Sequence, residues 1–482
     1  MPDARTVAEA RSETLRVRRL RLDGESPTRG LPGDPRAPVG STAAADTGIP
    51  LAPAALVEVA TFQSELKLKA PTVFEPSPSS ALRDRPRPDF MTVVLWALVL
   101  AGTAGVACVR YDFVMTHAHP VDLSIFVRAA RYVADGRSPY LVSTPSPGYV
   151  YTPILAILLA PLSHLSSLTV LRVWTVVSLA SIAVGAGCIT KIESEGLRSW
   201  QRPLIFALCA VSAYVLWPVT VGLVFGQADL LVLALLCVAA LARRRGMARG
   251  HGVLVGVAGL MKVWPVLGLV CLFGRGVKDR KRTLVPLAGV SLLAPLSALA
   301  FGGVSGLTSM VRRVFDARSQ HLISYSVWGI PKLWYSLNAH GDFLDNSVVL
   351  QVAVTALLAA FVAWLLYLTL RRLPPGSPLA FWNCFGCVIL LLPVSHIYYT
   401  VYFLPLLWHW ASRAVRSGFR EPVTLVVLGV LLIWWLTLLR AWPSDGASPW
   451  SSSLDISVVF LVNLMACSAS VLGAWALQRR RA

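Results

Sequence analysis

Residues 252–273 read GVLVGVAGLMKVWPVLGLVCLF, an apolar run of membrane-spanning length with Lys262 and Pro265 near its centre. Basic clusters bound it on both sides: Arg243, Arg244 and Arg245 before it, then Arg275, Lys278, Arg280, Lys281 and Arg282 after it. A single crossing would put one cluster outside, against the tendency of Lys and Arg to collect on the cytoplasmic side. A re-entrant or broken pair of half-helices, parted at Lys262 and Pro265, keeps both clusters inside. Irregular backbone at that depth is tolerated where it lines protein or a cavity. The stretch therefore predicts a helical membrane protein with a polar break in its interior.

The flanking sequence agrees. Uncharged runs long enough to cross a bilayer occupy 91–109, 203–222, 284–302, 348–370, 376–394, 422–439 and 456–476. Three weaker spans, 167–190, 224–241 and 397–412, keep their polar groups near an end, where these can snorkel or face a cavity. The expected fold is all-α, a polytopic transmembrane bundle of about ten spans plus the re-entrant hairpin, with both termini cytoplasmic. On that topology the inner loops hold 20 Lys and Arg and the outer loops nine.

Composition excludes a soluble protein: 55% of the 482 residues are hydrophobic, 14% are charged, and the mean hydropathy is +0.62. The net charge of +19 could suggest nucleic acid, but the arginines cluster beside apolar runs, so the charge reads as membrane topology. All eight cysteines lie in or at the ends of apolar runs and read as small buried hydrophobes. The Cys384-x-x-Cys387 pair has no second ligand pair to make a metal site. Residues 1–88, rich in Pro, Ala, Arg, Ser and Asp, lack a sustained apolar period and predict a disordered cytoplasmic tail ahead of a membrane domain over 89–482. No apolar stretch follows Met1, so no signal peptide is expected.

Beyond the tail, the outer loops carry most of the acids, so carboxylate chemistry is expected on that face. In HPVDLSIFVRAARYVADGRSPY, Val121, Ile125, Ala129 and Val133 repeat at helical spacing and Gly136 supplies a stop, predicting an amphipathic juxtamembrane helix. Asp122 opens it, either as an N-cap or first-turn acid favoured by the helix dipole or as a general base at the membrane surface. Arg128 and Arg131 either bind lipid headgroups or steady a leaving phosphate. Tyr151 is an interfacial belt residue or a substrate contact, and the apolar run after Pro153 is too short to span. Gln227 and Asp229 either cap a helix or face a wet cavity. Lys262 marks a functional site, or else snorkels or pairs with an acid. His321, Tyr325, Trp328 and Lys332 mix aromatic and cationic groups, as carbohydrate and phosphate sites do. His396 and Tyr399 stand at an outer helix end, His396 as a cap or belt residue or as a catalytic group.

These residues, in this order, resemble the GT-C superfamily of polytopic glycosyltransferases, and specifically glycosyltransferase family 87, over about residues 90 to 412. The family's acidic outer loop and G-x-x-x-Y element resemble Asp122 with Gly136 through Tyr140, and its Y-x-P element resembles Tyr151-Thr152-Pro153. Its G-Q-x-N helix start is similar to Gly226-Gln227-Ala228-Asp229, with Asp for Asn, and its G-x-x-x-x-x-K-x-x-P segment to Gly256 through Lys262 and Pro265. Its N-Q-S stretch stands here as Ser324-Tyr325-Ser326. Its P-x-S-W-x-H-Y stands as Pro393 through Tyr399, with the histidine displaced to His396.

The resemblance implies an inverting transfer from a polyprenyl-phosphate sugar on the outer face of the cytoplasmic membrane. It gives Asp122 the role of base, mannose that of transferred sugar and an envelope glycolipid or lipoglycan that of acceptor, with membrane lipids as surroundings and no nucleic-acid partner. A monophosphate carrier implies no metal and no cofactor beyond the lipid-linked donor. An arabinofuranosyltransferase on the same fold and a lipid or solute transporter are the alternatives. Against the transporter, the halves of the chain show no internal repeat.

Overall fold

The computed structural model describes residues 89–143, 148–274, 277, 279–320, 324–335, 347–374, 376–439 and 453–480. The predicted tail over 1–88 and His321 lie outside the described residues. Helices follow one another as α1 (Phe90–His117), α2 (Val121–Ala134), α3 (Pro153–Leu159), α4 (Ser167–Glu193), α5 (Gln201–Tyr214), α6 (Trp217–Phe225), α7 (Asp229–Arg244) and α8 (Ala248–Met261). A 3-10 helix, Trp264–Phe273, leads to α9 (Arg280–Ser291), α10 (Leu293–Gln320), α11 (Gly329–Tyr335), α12 (Val348–Arg372) and α13 (Pro378–Leu391). A second long 3-10 helix, Ile397–Phe403, precedes α14 (Leu404–Arg416), α15 (Pro422–Thr437) and α16 (Ser453–Arg479). No strand occurs among the described residues.

Among the described residues, five helical stretches are long and apolar enough to cross a membrane: α1, α4, the run 280–313 through α9 and α10, α12, and 454–479 within α16. The bent pair α5 and α6 meets the same criterion when taken together and makes a sixth if it is one span. The expected ten spans exceed this number because several apolar runs fold into shorter helices: 378–391 and 422–437 are α13 and α15, and 397–412 begins as a 3-10 helix.

The run 203–222, expected as one span, instead bends by 60° between Tyr214 and Trp217. Leu216 is extended there, and Pro218 sits in the first turn of α6, where a proline is tolerated. The groups freed by the break find partners. The Trp217 amide donates to Leu438 O at 3.2 Å, and the Arg110 guanidinium donates to Val215 O at 3.4 Å. Backbone that leaves its helix at membrane depth has to be satisfied this way.

The break expected at Lys262 is present. α8 ends at Met261, Lys262 is extended at φ −143° and ψ 128°, and the chain resumes as a 3-10 helix with Pro265 in its first turn.

The amphipathic helix forms, with Ile125, Ala129 and Val133 of its predicted apolar face buried and Val121, its first residue, exposed. α2 buries Leu123, Ile125, Phe126, Ala129 and Val133, and the chain turns off at Gly136 with φ +70°. Its capping residue is Pro120, so Asp122 is a first-turn acid and not the cap. Elsewhere the core is stitched by indoles: Trp408 Nε1 donates to Ser212 Oγ, Trp410 to Ser470 Oγ and Trp434 to Asn463 Oδ1, each within 2.9 Å. All eight cysteines are free, six of them buried and Cys188 partly so, while Cys108 is exposed on α1.

Candidate active site

Gly226 fixes the geometry at the start of α7. It ends α6 in the left-handed conformation at φ +72°, and a Cβ there would lie 2.5 Å from the Leu123 Cβ. Only glycine lets α2 approach so closely. One residue on, the Gln227 side chain is buried and donates through Nε2 to Asp122 Oδ2 at 2.6 Å. Its Oε1 accepts from Lys262 Nζ at 3.2 Å and from the Tyr151 hydroxyl at 3.4 Å.

Lys262 also donates to Asp229 Oδ2 at 2.7 Å, with the two side chains 3% and 2% exposed. The Tyr402 hydroxyl donates to Asp229 Oδ1 at 2.9 Å. The ammonium lies 4.6 Å from the Tyr399 ring centre and 4.9 Å from that of Tyr398, close enough for cation–π attraction. A buried ion pair is tolerable only when its remaining hydrogen-bonding capacity is met. Here Gln227, Tyr402 and two aromatic faces meet it.

Asp122 is half-buried at the rim of this cluster. Burial pushes its carboxyl up from 3.8 to about 6, against Lys262 and the Gln227 hydrogen bond, which hold it down, while Asp229 adds to the rise. A carboxyl in that range exchanges its proton close to pH 6, within reach of acid–base chemistry.

The Tyr151 backbone is held by its neighbours. Tyr140 donates to Tyr151 O at 3.0 Å, Tyr149 donates to Thr152 O at 2.6 Å, and Thr152 Oγ1 donates to Leu260 O, tying the loop to the end of α8. The two short tyrosine elements of the sequence therefore buttress one another. Beside them lies an apolar cleft of about 390 Å³, lined by Thr152, Leu260, Val263, Val266, Leu267 and Met310 among others. It adjoins the polar cluster through Thr152 and Val263, the chain neighbours of Tyr151 and Lys262.

His396 borders the site, its ring 5.0 Å from that of Tyr398 and 5.6 Å from that of Tyr399. Four expected site residues lie elsewhere in the hydrogen-bonding scheme. Arg128 Nε donates to Ser124 O on its own helix, and Arg131 Nε to Ser163 O, pinning α2 to the turn after α3. Tyr325 is buried, and its amide donates to Ser395 O at 2.8 Å. The Ser324–Val327 strip pairs further with 390–395 through Val327 N to Leu390 O and Ser395 N to Ser324 Oγ. Lys332 sits on α11, with no hydrogen bond to the cluster.

Sequence reasoning missed Tyr398 and Tyr402, although Tyr398, Tyr399 and Tyr402 recur at three- and four-residue spacing and so share a helical face. Among the described residues no three His, Cys, Asp or Glu side chains are grouped as a metal site requires.

Comparison with known proteins matches residues 149–394 to the model of glycosyltransferase family 87. A similar protein is the polyprenol-phosphate-mannose-dependent alpha-(1-2)-phosphatidylinositol mannoside mannosyltransferase of Mycobacterium tuberculosis, 25% identical over 375 residues, which cover 71% of this chain and 82% of that protein. The matched stretch holds Tyr151, Gln227, Asp229 and Lys262, four members of the cluster built above. An enzyme rather than a transporter, this chain belongs to glycosyltransferase family 87.

Proposed function

We propose that the protein transfers mannose from a polyprenyl-phosphate carrier to an envelope glycolipid or lipoglycan, inverting the anomeric carbon, on the outer face of the cytoplasmic membrane. The observation that carries the reading is the Asp122 carboxylate, held by Gln227 beside the buried Lys262–Asp229 pair and a short way from an apolar cleft.

In this reading Asp122 takes the proton of an acceptor hydroxyl. The acceptor oxygen bonds to the anomeric carbon from the face opposite the phosphate, the carbon–oxygen bond to the phosphate breaks, and the polyprenyl phosphate leaves with the electron pair. The first units of the polyprenyl chain lie in the apolar cleft. A monophosphate leaving group develops little enough charge for fixed dipoles and cations to stabilise, so the reaction is proposed to need no metal. The similarity to the mycobacterial mannosyltransferase supports the donor and the glycolipid class of acceptor. The basic loops support an outward active site with cytoplasmic termini, and about ten spans with a hairpin at Lys262.

Purified protein incubated with radiolabelled polyprenyl-phosphate mannose and a membrane lipid extract should yield a labelled glycolipid. Label transferred only from polyprenyl-phosphate arabinose would replace mannose in this reading. Transfer from neither would end it.

A further inference from the structure

The Gln227 amide has two faces that differ in charge. Its oxygen looks toward the Lys262 ammonium and the Tyr151 hydroxyl, and its nitrogen toward the Asp122 carboxylate at 2.6 Å. Turned end for end, the amide would set oxygen against carboxylate and NH₂ against ammonium, repulsive on both sides. An ammonium has no acceptor and an ionised carboxylate no donor, so one orientation alone is compatible with both neighbours. Lys262 is itself held by Asp229, and Asp229 by Tyr402. The result is a continuous run of hydrogen bonds from Tyr402 on the Ile397–Phe403 helix to Asp122 on α2.

We propose that Gln227 is a positioning residue for the base: its amide, locked by Lys262, holds Asp122 Oδ2 and leaves Oδ1 to the acceptor hydroxyl. The inference rests on the reading of Asp122 as base and gives the buried Lys262–Asp229 pair a part in it, transmitted through one amide. Polarisation by the ammonium strengthens the N–H that Gln227 donates, because hydrogen bonds in series reinforce one another. The groups facing Asp122 are few. Lys262, Asp229 and the Tyr151, Tyr398 and Tyr399 phenols interact with it or lie beside it. The elements packed most closely on α2, namely α3, α6 and the 3-10 turns 139–141 and 160–162, contribute no charged residue and only the Tyr140 phenol, which is bonded to Tyr151 O; α4 meets α2 through Trp174 against Phe126, and its Arg172 is exposed.

The test is the pH dependence of kcat/KM for sugar transfer by the full chain in detergent or vesicles. The wild type should show an acid limb that Asp122→Asn abolishes; without it the base reading itself fails, whatever Gln227 does. Given that limb, Gln227→Leu removes the donor to the carboxylate and should move the limb upward by about one pH unit, since a hydrogen bond to the charged form favours that form. If Gln227→Leu is not recovered folded, Gln227→Asn, which pulls the amide back by one methylene, is judged by the same criterion. A folded variant that loses activity by the same factor at every pH, with the limb unmoved, overturns the proposal while leaving Asp122 as base.

Discussion

The Lys262 ammonium and the Asp229 carboxylate meet at 2.7 Å in a place almost without solvent, and the two residues lie 33 positions apart in the chain. Lys262 stands at the break between α8 and the 3-10 helix, and Asp229 at the first residue of α7. Each marks the end of a helix where the backbone departs from regular geometry. The polar core of the protein is thus assembled from helix ends, where the chain can turn polar side chains toward one another in the packed interior.

Breaking that pair from one side should be costly. Lys262→Met leaves a buried carboxylate uncompensated, which typically destabilises by about 3–5 kcal/mol. The double variant Lys262→Met with Asp229→Asn should recover a substantial part of that loss, because the two sites are in contact and their effects are not additive. Thermal unfolding in detergent measures both. Equal stability of the single and double variants would show the pair to be energetically idle. Activity should fall in Lys262→Met even where the protein remains folded.

Asp122→Asn keeps an oxygen to accept from Gln227 while removing basicity. Transfer should fall by about 10²- to 10⁴-fold, the usual worth of a general base. The helix is capped at Pro120, so fold and stability should scarcely change. Near-normal transfer by the folded variant would remove Asp122 from the mechanism.

The wild-type rate should depend on pH with a definite sign. A base acts in its ionised form, and burial holds the Asp122 carboxyl at about 6, so kcat/KM should climb as pH rises through about 6 and level off above it. A profile flat from pH 5 to 8 would mean that this group does not limit the reaction.

Gly226→Ala should act through α2. The residue sits at φ +72°, and an added Cβ would meet the Leu123 Cβ at 2.5 Å. Left-handed strain and overpacking each cost about 1–3 kcal/mol. The helix carrying Asp122 must then move, so the variant should lose kcat more than it raises the donor KM. A fully active Gly226→Ala enzyme would show that the α2 contact is not needed.

Single cysteines placed at Arg244 and Arg282, both exposed, should be labelled by an impermeant reagent only from the cytoplasmic side. Labelling of either from outside intact cells would mean that the 252–273 segment crosses the membrane once.

Hydropathy and charge determined much of this protein locally. The sequence alone establishes a membrane protein, the long helices α1, α4, α12 and α16, the amphipathic α2, and the break at Lys262, because each depends on the order of residues within one stretch. Asp122, Gln227, Asp229 and Lys262 stood out as polar groups at helix ends or among apolar neighbours. Their partnership did not, since Gln227 and Asp122 are 105 positions apart and nothing in either segment records the other. The tertiary structure decided that Lys262 pairs with Asp229, that Tyr402 completes the pair, and that Arg131 pins α2 while lying outside the cluster. It also decided the bend between α5 and α6, which an uncharged run conceals. The bend requires Leu438 and Arg110, from distant helices, to take up the backbone groups it frees. Burying a polar group requires a partner for it, and only the packed fold says which residue that partner is.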